Sequence, residues 1–258
     1  MEVLERSDAG AVRRLTLNRP ESRNALDLDL LRALRTAVVE ALADRTVRCL
    51  VLTGAGRAFC AGADVKAWSE QGPQGDEDPW VAEAHGLVCE LAAARLPTVV
   101  LLNGAAVGAG LDLALACDIR IASAEARFAC AYTWLAYPPD VGGTWLLPRI
   151  VGLEDAKRFV FTGEFWDAPT ALERGLVSEV VSSAELAERG ARLAAELASG
   201  PTVAIAHAKR LLDESTGRTL TEQLEAERQA GLLCARTEDH HEALAAAAAR
   251  RDPVFRGR

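Results

Sequence analysis

Residues 99–112 read VVLLNGAAVGAGLD, an apolar run that passes through a turn of small residues into a helical pattern. Residues 50–64, LVLTGAGRAFCAGAD, repeat the same order. Short apolar runs bounded by glycine are typical of strands buried on both faces, so each segment predicts a strand that leads through a turn into a helix. Small side chains in such a turn let a ligand approach the backbone, where the first N–H groups of a helix have no intrahelical partner.

Two turns of this design that face each other would hold one oxygen atom between their N–H groups, as an oxyanion hole does. The alternative is that the glycines only allow helices and strands to pack closely. Asp112 favours a functional site, because it lies in an apolar run and an unpaired buried carboxylate is costly. The alternative for Asp112 is a helix N-cap after the glycine turn.

The pattern on either side of these segments alternates short strands with helices. Asp27 is the expected N-cap of the first helix, and a second helix is expected at 80–94. Strands separated by helices predict βαβ units and an α/β class. The strands are predicted at 12–17, 47–53, 99–102 and 119–121.

The last third of the chain is predicted to be mainly helical, with one further strand at 177–181. Within the first half of the chain, the loop at 71–79 is rich in Gly, Pro and acidic residues and predicts a mobile surface segment near the site. The late helices are predicted at 186–197, 202–214, 219–235 and 238–251.

Composition excludes several classes of protein. The 258 residues are 50% hydrophobic and 26% charged, which is ordinary for a globular protein, and the net charge of −8 disfavours a nucleic-acid groove. The charged N-terminus lacks the apolar stretch of a secretory signal, so a cytoplasmic protein is expected. The apolar stretch 96–117 contains Pro97, Asn103 and Asp112, which argues against a membrane helix. The six cysteines form no Cys-x-x-Cys pair and are expected to be reduced and mostly buried.

The common cofactor motifs are not matched. Gly54-Ala55-Gly56 follows a strand, but Phe59 stands where a dinucleotide-binding motif needs its third glycine. The sequence has neither a phosphate-binding Gly-Lys-Ser/Thr loop nor a Gly-x-Ser-x-Gly elbow. The four histidines lack metal-ligand spacing. We therefore expect no metal and no separate cofactor.

Five ordered motifs carry a resemblance that spans essentially the whole chain. They are NRPESRNAL (18–26), AFCAGAD (58–64), the segment 103–112, ACDIRIA (116–122) and GGTWLLPR (142–149). Together they resemble the enoyl-CoA hydratase/isomerase (crotonase) superfamily. The nearest motifs are those of epoxyphenylacetyl-CoA isomerase-like and dienoyl-CoA isomerase-like members.

The resemblance implies an α/β fold with a crotonase-type ββα spiral catalytic core at 1–198 and a helical C-terminal region at 199–258 that builds a homotrimer or a dimer of trimers. It implies an acyl-CoA thioester as substrate, with CoA as part of that substrate, and no nucleic-acid or membrane partner. An interface in the C-terminal region agrees with leucines on faces that a catalytic core need not cover: Leu220, Leu224, Leu232 and Leu233.

The resemblance also implies roles for individual residues. The N–H groups of Ala63 and Ala109 would bind the thioester oxygen, where charge develops as an enolate forms. A surface salt bridge is the alternative role for Arg23. The residues implied to contact CoA or the acyl chain are Arg23, Ala25, Ala61, Asp64, Val65, Gly108 and Tyr132.

Three positions depart from the hydratase pattern. Asp112 stands where hydratases have their first glutamate, and Tyr132 stands at the second position, where a phenol with an ordinary pKa of about 10 is a poor base. Asp140 stands where hydratases tend to have glycine, and an acidic residue at this position resembles the family isomerases. The sequence thus predicts an enoyl-CoA isomerase with Asp140 as principal base, its pKa raised by burial, and Asp112 as second acid or base.

Several alternatives stay open. Asp140 is also a candidate turn residue or helix cap. The protein is alternatively a hydratase or lyase that uses Asp112 with Tyr132, or a non-catalytic accessory subunit that binds acyl-CoA. Four aromatic residues either line a pocket for a bulky acyl group or belong to the core: Trp134, Tyr137, Trp145 and Trp166.

Overall fold

Ten strands form two sheets in the computed structural model, which describes residues 2–71 and 78–258. The predicted loop at 71–79 therefore lies almost wholly outside the described residues. The strands are β1 (Leu4–Ala9), β2 (Val12–Leu17), β3 (Cys49–Gly54), β4 (Ala58–Cys60), β5 (Thr98–Leu102), β6 (Ala105–Val107), β7 (Ile119–Ser123), β8 (Arg127–Ala129), β9 (Trp166–Asp167) and β10 (Glu179–Val181).

Eleven α-helices lie in the described ranges. They are α1 (Leu28–Ala43), α2 (Val65–Gln71), α3 (Pro79–Ala92), α4 (Ala109–Leu115), α5 (Gly143–Val151), α6 (Leu153–Thr162), α7 (Ala168–Glu173), α8 (Leu186–Ser199), α9 (Thr202–Glu214), α10 (Leu220–Cys234) and α11 (Glu238–Ala249), with short 3-10 helices at Pro20–Ser22, Ala131–Leu135 and Ser215–Gly217. Two of the α-helices, α6 and α7, were not predicted. Asp27 caps α1 as predicted, since its side chain accepts a 2.8 Å hydrogen bond from the Leu30 N–H.

The larger sheet has the order β1-β2-β3-β5-β7-β10, and only the β1–β2 pair is antiparallel. Successive side chains of β5 bury opposite faces: Val100 lies in the main core, whereas Val99 and Leu101 lie in a second cluster with residues of α8. Burial on both faces explains the continuous apolar runs and confirms the predicted α/β class.

The smaller sheet has the order β4-β6-β8-β9. Each of its first three strands follows directly on a strand of the larger sheet: β4 after β3, β6 after β5, and β8 after β7. The expectation of a simple turn from strand to helix was therefore wrong, because a three-residue strand comes between them. This repeated strand–strand–helix unit is the crotonase-type spiral that the resemblance implied.

The C-terminal helices α9, α10 and α11 lie mostly outside the hydrophobic core. Lys209 of α9 contacts the core through Asp118 at 3.0 Å, while the four predicted leucines of α10 are exposed by 48–75%. The apolar stretch 96–117 forms β5, β6 and α4, and no helix in the described ranges is long and apolar enough to span a bilayer. Four of the six cysteines are buried, as expected.

Candidate active site

The two small-residue turns meet at one edge of the smaller sheet. Strands β4 and β6 are parallel neighbours, so the segments that leave them lie side by side. A side chain on Gly62, whose φ is 93°, would place its Cβ 2.7 Å from the Val107 carbonyl oxygen and 3.5 Å from the Ala109 nitrogen. Only glycine fits this position, because both the backbone conformation and the space exclude a Cβ. The close approach brings the segment of Ala63 against that of Ala109.

The N–H groups of Ala63 and Ala109 are available to a ligand. Neither donates a hydrogen bond within residues 2–71 and 78–258, whereas the adjacent Asp64 and Gly108 N–H groups bond to Leu26 and Ala129. Ala109 is the first residue of α4, where an N–H has no intrahelical acceptor. The geometry therefore fits the predicted oxyanion hole. The packing role also occurs nearby, since a Cβ on Gly110 would lie 2.5 Å from the Cys60 carbonyl oxygen.

Asn24 fixes the segment that runs beside this edge. Its fully buried side chain donates to the carbonyl oxygens of Ala55, Ala58 and Phe59 at 2.9–3.1 Å. Arg23 and Asn24 both have left-handed backbone conformations, with φ of 55° and 57°. Asparagine tolerates that conformation better than most residues, which is a signal that the sequence analysis missed.

The residues implied to contact CoA surround the same edge. The carbonyl of Arg23 accepts the Ala61 N–H at 3.0 Å, and Leu26 pairs with Ala63 in an isolated parallel bridge. Arg23 is exposed and forms no ion pair with another residue of 2–71 or 78–258. The remaining implied residues are placed as follows: Ala25 is buried, Asp64 pairs with Arg19 at 3.3 Å, and Val65 is 47% exposed at the start of α2.

Asp112 is a buried carboxylate with one hydrogen-bond partner. It is 1% exposed and accepts a 2.5 Å hydrogen bond at Oδ2 from the Tyr132 hydroxyl, while Oδ1 has no partner in the described part of the chain. The N-cap of α4 is Gly108, so the capping alternative for Asp112 was wrong. A Cβ on Gly143 would lie 2.9 Å from the Asp112 Cγ, so the carboxylate packs directly on the Gly143 backbone.

The environment of Asp112 sets its protonation. Burial raises the pKa of Asp112 from 3.8 to about 7, against the lowering effects of the Tyr132 hydroxyl and the nearby Gly143 N–H. The negative charge of Asp140 raises the pKa further. Burial together with the Asp112 charge raises the pKa of Tyr132 far above its ordinary value, so Tyr132 stays protonated and cannot act as a base.

Asp140 lies between the two prolines and α5. The N-cap of α5 is Gly142, so the capping alternative for Asp140 was wrong. Burial raises the pKa of Asp140, as predicted, and the charge of Asp78 adds to the rise, whereas His85 and the Tyr132 hydroxyl oppose it. The structure thus brings Asp112, Tyr132 and Asp140 into one interacting group.

The four aromatic residues separate into different roles. Trp166 is buried and stacks on Phe159 with ring centres 4.0 Å apart, so it belongs to the core. Trp134 and Trp145 are more than half exposed, so they do not belong to the core. Tyr137 meets Trp68 of α2 edge-on at 5.3 Å and so joins the segment after Ala63 to the segment before Asp140.

The comparisons with known proteins give the same family. The family model for enoyl-CoA hydratase/isomerase matches residues 7–258. The chain belongs to the enoyl-CoA hydratase/isomerase family. It is an enzyme family whose members act on acyl-CoA thioesters.

Relatives within the enoyl-CoA hydratase/isomerase family have names for two different reactions. The 1,2-epoxyphenylacetyl-CoA isomerase of Escherichia coli K12 is 38% identical over 247 residues, 95% of this chain and 94% of that protein. The 2,3-dehydroadipyl-CoA hydratase of the same organism is also 38% identical over 247 residues, with the same coverage. The crystal structure of an enoyl-CoA hydratase from Bacillus anthracis is 33% identical, with a TM-score of 0.93 over 99% of this chain and all of that one. Identity alone therefore establishes the family and the crotonase fold but does not choose the reaction.

Proposed function

We propose that this protein is an enoyl-CoA isomerase that moves a proton along the acyl chain through a thioester enolate. One observation carries the proposal: the position opposite Asp112 holds a phenol that stays protonated, while the second carboxyl group is Asp140. Hydration by a pair of carboxylates needs a second base at that position. Two charge-coupled carboxyl groups with raised pKa values, and no nucleophile between them, suit transfer of a proton between two carbons.

The N–H groups of Ala63 and Ala109 are proposed to hold the thioester oxygen. Negative charge develops on that oxygen only when the α-proton leaves, so fixed donors stabilise the transition state more than the substrate, and loss of one donor typically lowers the rate by about 10²–10³. The CoA part is proposed to lie along Arg23, Ala25, Ala61, Asp64 and Val65, with the acyl chain passing Gly108 and Tyr132.

The proton transfer balances without an oxidant or a second reactant. The Asp140 carboxylate takes the proton from C2 of a 3-enoyl thioester, and the electron pair of that C–H bond becomes part of a dienolate. The protonated carboxyl group then delivers a proton to C4, and the double bond moves from C3–C4 to C2–C3. With a pKa of about 7, Asp112 can hold a proton near neutral pH. In the two-base form of the same reaction, protonated Asp112 delivers its proton to C4 while Asp140 keeps the proton from C2, and transfer of that proton from Asp140 to Asp112 restores the starting state.

A hydratase or lyase that uses Asp112 is the second candidate. The same pKa of about 7 would allow Asp112 to activate a water molecule, and a hydratase is among the relatives at 38% identity. The third candidate is a non-catalytic subunit that binds acyl-CoA. A measurement of turnover distinguishes it from the two enzymes, because it would show none.

The proposed assembly is a homotrimer or a dimer of trimers. The apolar side chains of Leu220 and Leu224 are exposed by 75% and 55%, and such area is normally an interface. Sedimentation at micromolar concentration should show a trimer or hexamer, and a species of only 27.5 kDa would refute this part of the proposal.

The test is turnover of a panel of enoyl-CoA thioesters in heavy water, followed by mass spectrometry and NMR. An isomerase shifts the double bond and incorporates deuterium on the chain without adding water. Asp140→Asn should lower kcat by about 10²–10⁴ with nearly unchanged acyl-CoA binding, because asparagine keeps the shape and loses the base. If Asp140→Asn keeps near wild-type turnover while Asp112→Asn or Tyr132→Phe is inactive, the isomerase assignment fails and the hydratase-type reaction leads.

A further inference from the structure

The backbone around Asp140 is hydrogen-bonded by one side chain, that of His85 on α3. Residues 138–141 belong to no helix or strand, and two of them are prolines without an N–H. Within the described ranges, the backbone of these four residues makes one hydrogen bond to another residue: the Asp140 carbonyl oxygen lies 2.6 Å from Nε2 of His85 on α3. A carbonyl oxygen can only accept, so Nε2 carries the hydrogen.

Helix α3 is well placed to serve as a rigid support. One turn after His85, Val88 packs on the next part of the same segment, with its Cγ1 3.2 Å from the position of a Cβ on Gly142. Across the helix, Glu83 and Glu90 pair with Arg35 of α1 at 3.1 and 3.0 Å. The helix therefore contacts the Asp140 segment on one side and is tied to the core on the other.

We propose that His85 is a positioning residue that holds Asp140 for proton transfer by donating a hydrogen bond to its backbone carbonyl. The proposal rests on the proposed isomerase function, since it requires Asp140 to be the base. It assigns to His85 no contact with substrate. Without this hydrogen bond, the backbone between Pro139 and the buried Val141 is free to rotate, and the carboxylate moves with it.

His85 also has an electrostatic effect on the Asp140 carboxyl group. A positive charge on His85 lowers the pKa of Asp140 and so favours the carboxylate that accepts the proton. The other titratable groups that act electrostatically on Asp140 are Tyr132, Asp112 and Asp78, the N-cap residue of α3. The charged groups of α1 next to α3, Arg32 and Arg35, are engaged with Glu83 and Glu90.

The experiment compares two substitutions of His85 with side chains of similar size, of which only one can donate a hydrogen bond to the Asp140 carbonyl. In His85→Gln the side-chain amide can still donate to the Asp140 carbonyl, whereas His85→Met fills the same space without a donor. We expect His85→Met to lower kcat by about 10- to 100-fold with KM within about twofold of wild type, because misplacement of a reacting group by about 1 Å has effects of this size. His85→Gln should recover kcat to within about threefold of wild type, and the exposed His241→Gln is the control.

Three outcomes are decisive. If His85→Met keeps the wild-type kcat while Asp140→Asn is inactive, the positioning role is refuted and the isomerase proposal stands. If Asp140→Asn is as active as wild type, the proposed function itself fails. If His85→Gln is as impaired as His85→Met, the hydrogen bond is not the cause and the positioning role is again refuted.

Discussion

Replacing Asp112 by asparagine should make the protein more stable than the wild type at alkaline pH. At acidic pH the same substitution should change the stability little. Folding raises the pKa of Asp112 from 3.8 to about 7, so between these values the folded protein holds a proton that the unfolded chain has released. The free energy of unfolding of the wild type therefore falls as the pH rises through this window. Asparagine does not titrate and keeps an acceptor for the Tyr132 hydroxyl, so the variant lacks this fall.

The size of the effect follows from the two pKa values. Each pKa unit corresponds to about 1.4 kcal/mol, so the full difference between 3.8 and about 7 amounts to about 4 kcal/mol. About two thirds of it should develop between pH 5 and pH 8. Titrating groups far from Asp112 contribute equally to both proteins and cancel in the comparison, whereas Asp140 interacts with Asp112 and needs its own variant.

The assay is urea unfolding of the wild type and Asp112→Asn at one protein concentration from pH 4.5 to pH 8.5. The exposed Asp252→Asn is the matched control for removing one carboxylate from the surface. In Asp140→Asn the midpoint of the Asp112 titration should move to lower pH, because the Asp140 charge raises the pKa of Asp112. A stability difference between wild type and Asp112→Asn that is the same at pH 5 and pH 8 would refute the buried, uncompensated carboxylate.

The remaining predictions concern packing, the Asn24 network and the ligand. Gly143→Ala should displace the Asp112 carboxylate and lower kcat by about 10²-fold, whereas Gly217→Ala, which meets no atom within 4 Å, should keep wild-type kinetics. Asn24→Ala should lower the free energy of unfolding by about 2–4 kcal/mol in urea titrations, since the Ala55 and Phe59 carbonyl oxygens lose their side-chain donor and Ala58 keeps only that of Asn103; a loss below about 0.5 kcal/mol would contradict this role. Acetyl-CoA at about 100 times its Kd should stabilise the fold by about 2.7 kcal/mol in thermal unfolding, while NAD and zinc ions should have no effect; a shift with NAD alone would contradict the assigned site.

Elements with a strong local pattern were predictable from the sequence. The strand at 12–17 was placed to the residue, and the helix predicted at 202–214 matches α9, because apolar periodicity and capping residues act over a few neighbours. The second sheet escaped prediction for the opposite reason. Strands of three residues, such as β4 and β6, are too short to show a period, and they exist because their partners lie about 45 residues away.

The same division holds for the site. The family, the paired small-residue turns of Ala63 and Ala109, and the carboxyl groups at 112 and 140 are evident from the amino-acid sequence, because they depend on residue identity and order. Tertiary packing brings the Tyr132 hydroxyl to Asp112 and the His85 side chain to the Asp140 carbonyl, and neither hydrogen bond could be predicted from the sequence. Tertiary packing also buries Asp112, and this burial sets its pKa at about 7. Hydrogen bonds between distant residues and the removal of water depend on how the whole chain packs, and no local pattern encodes either of them.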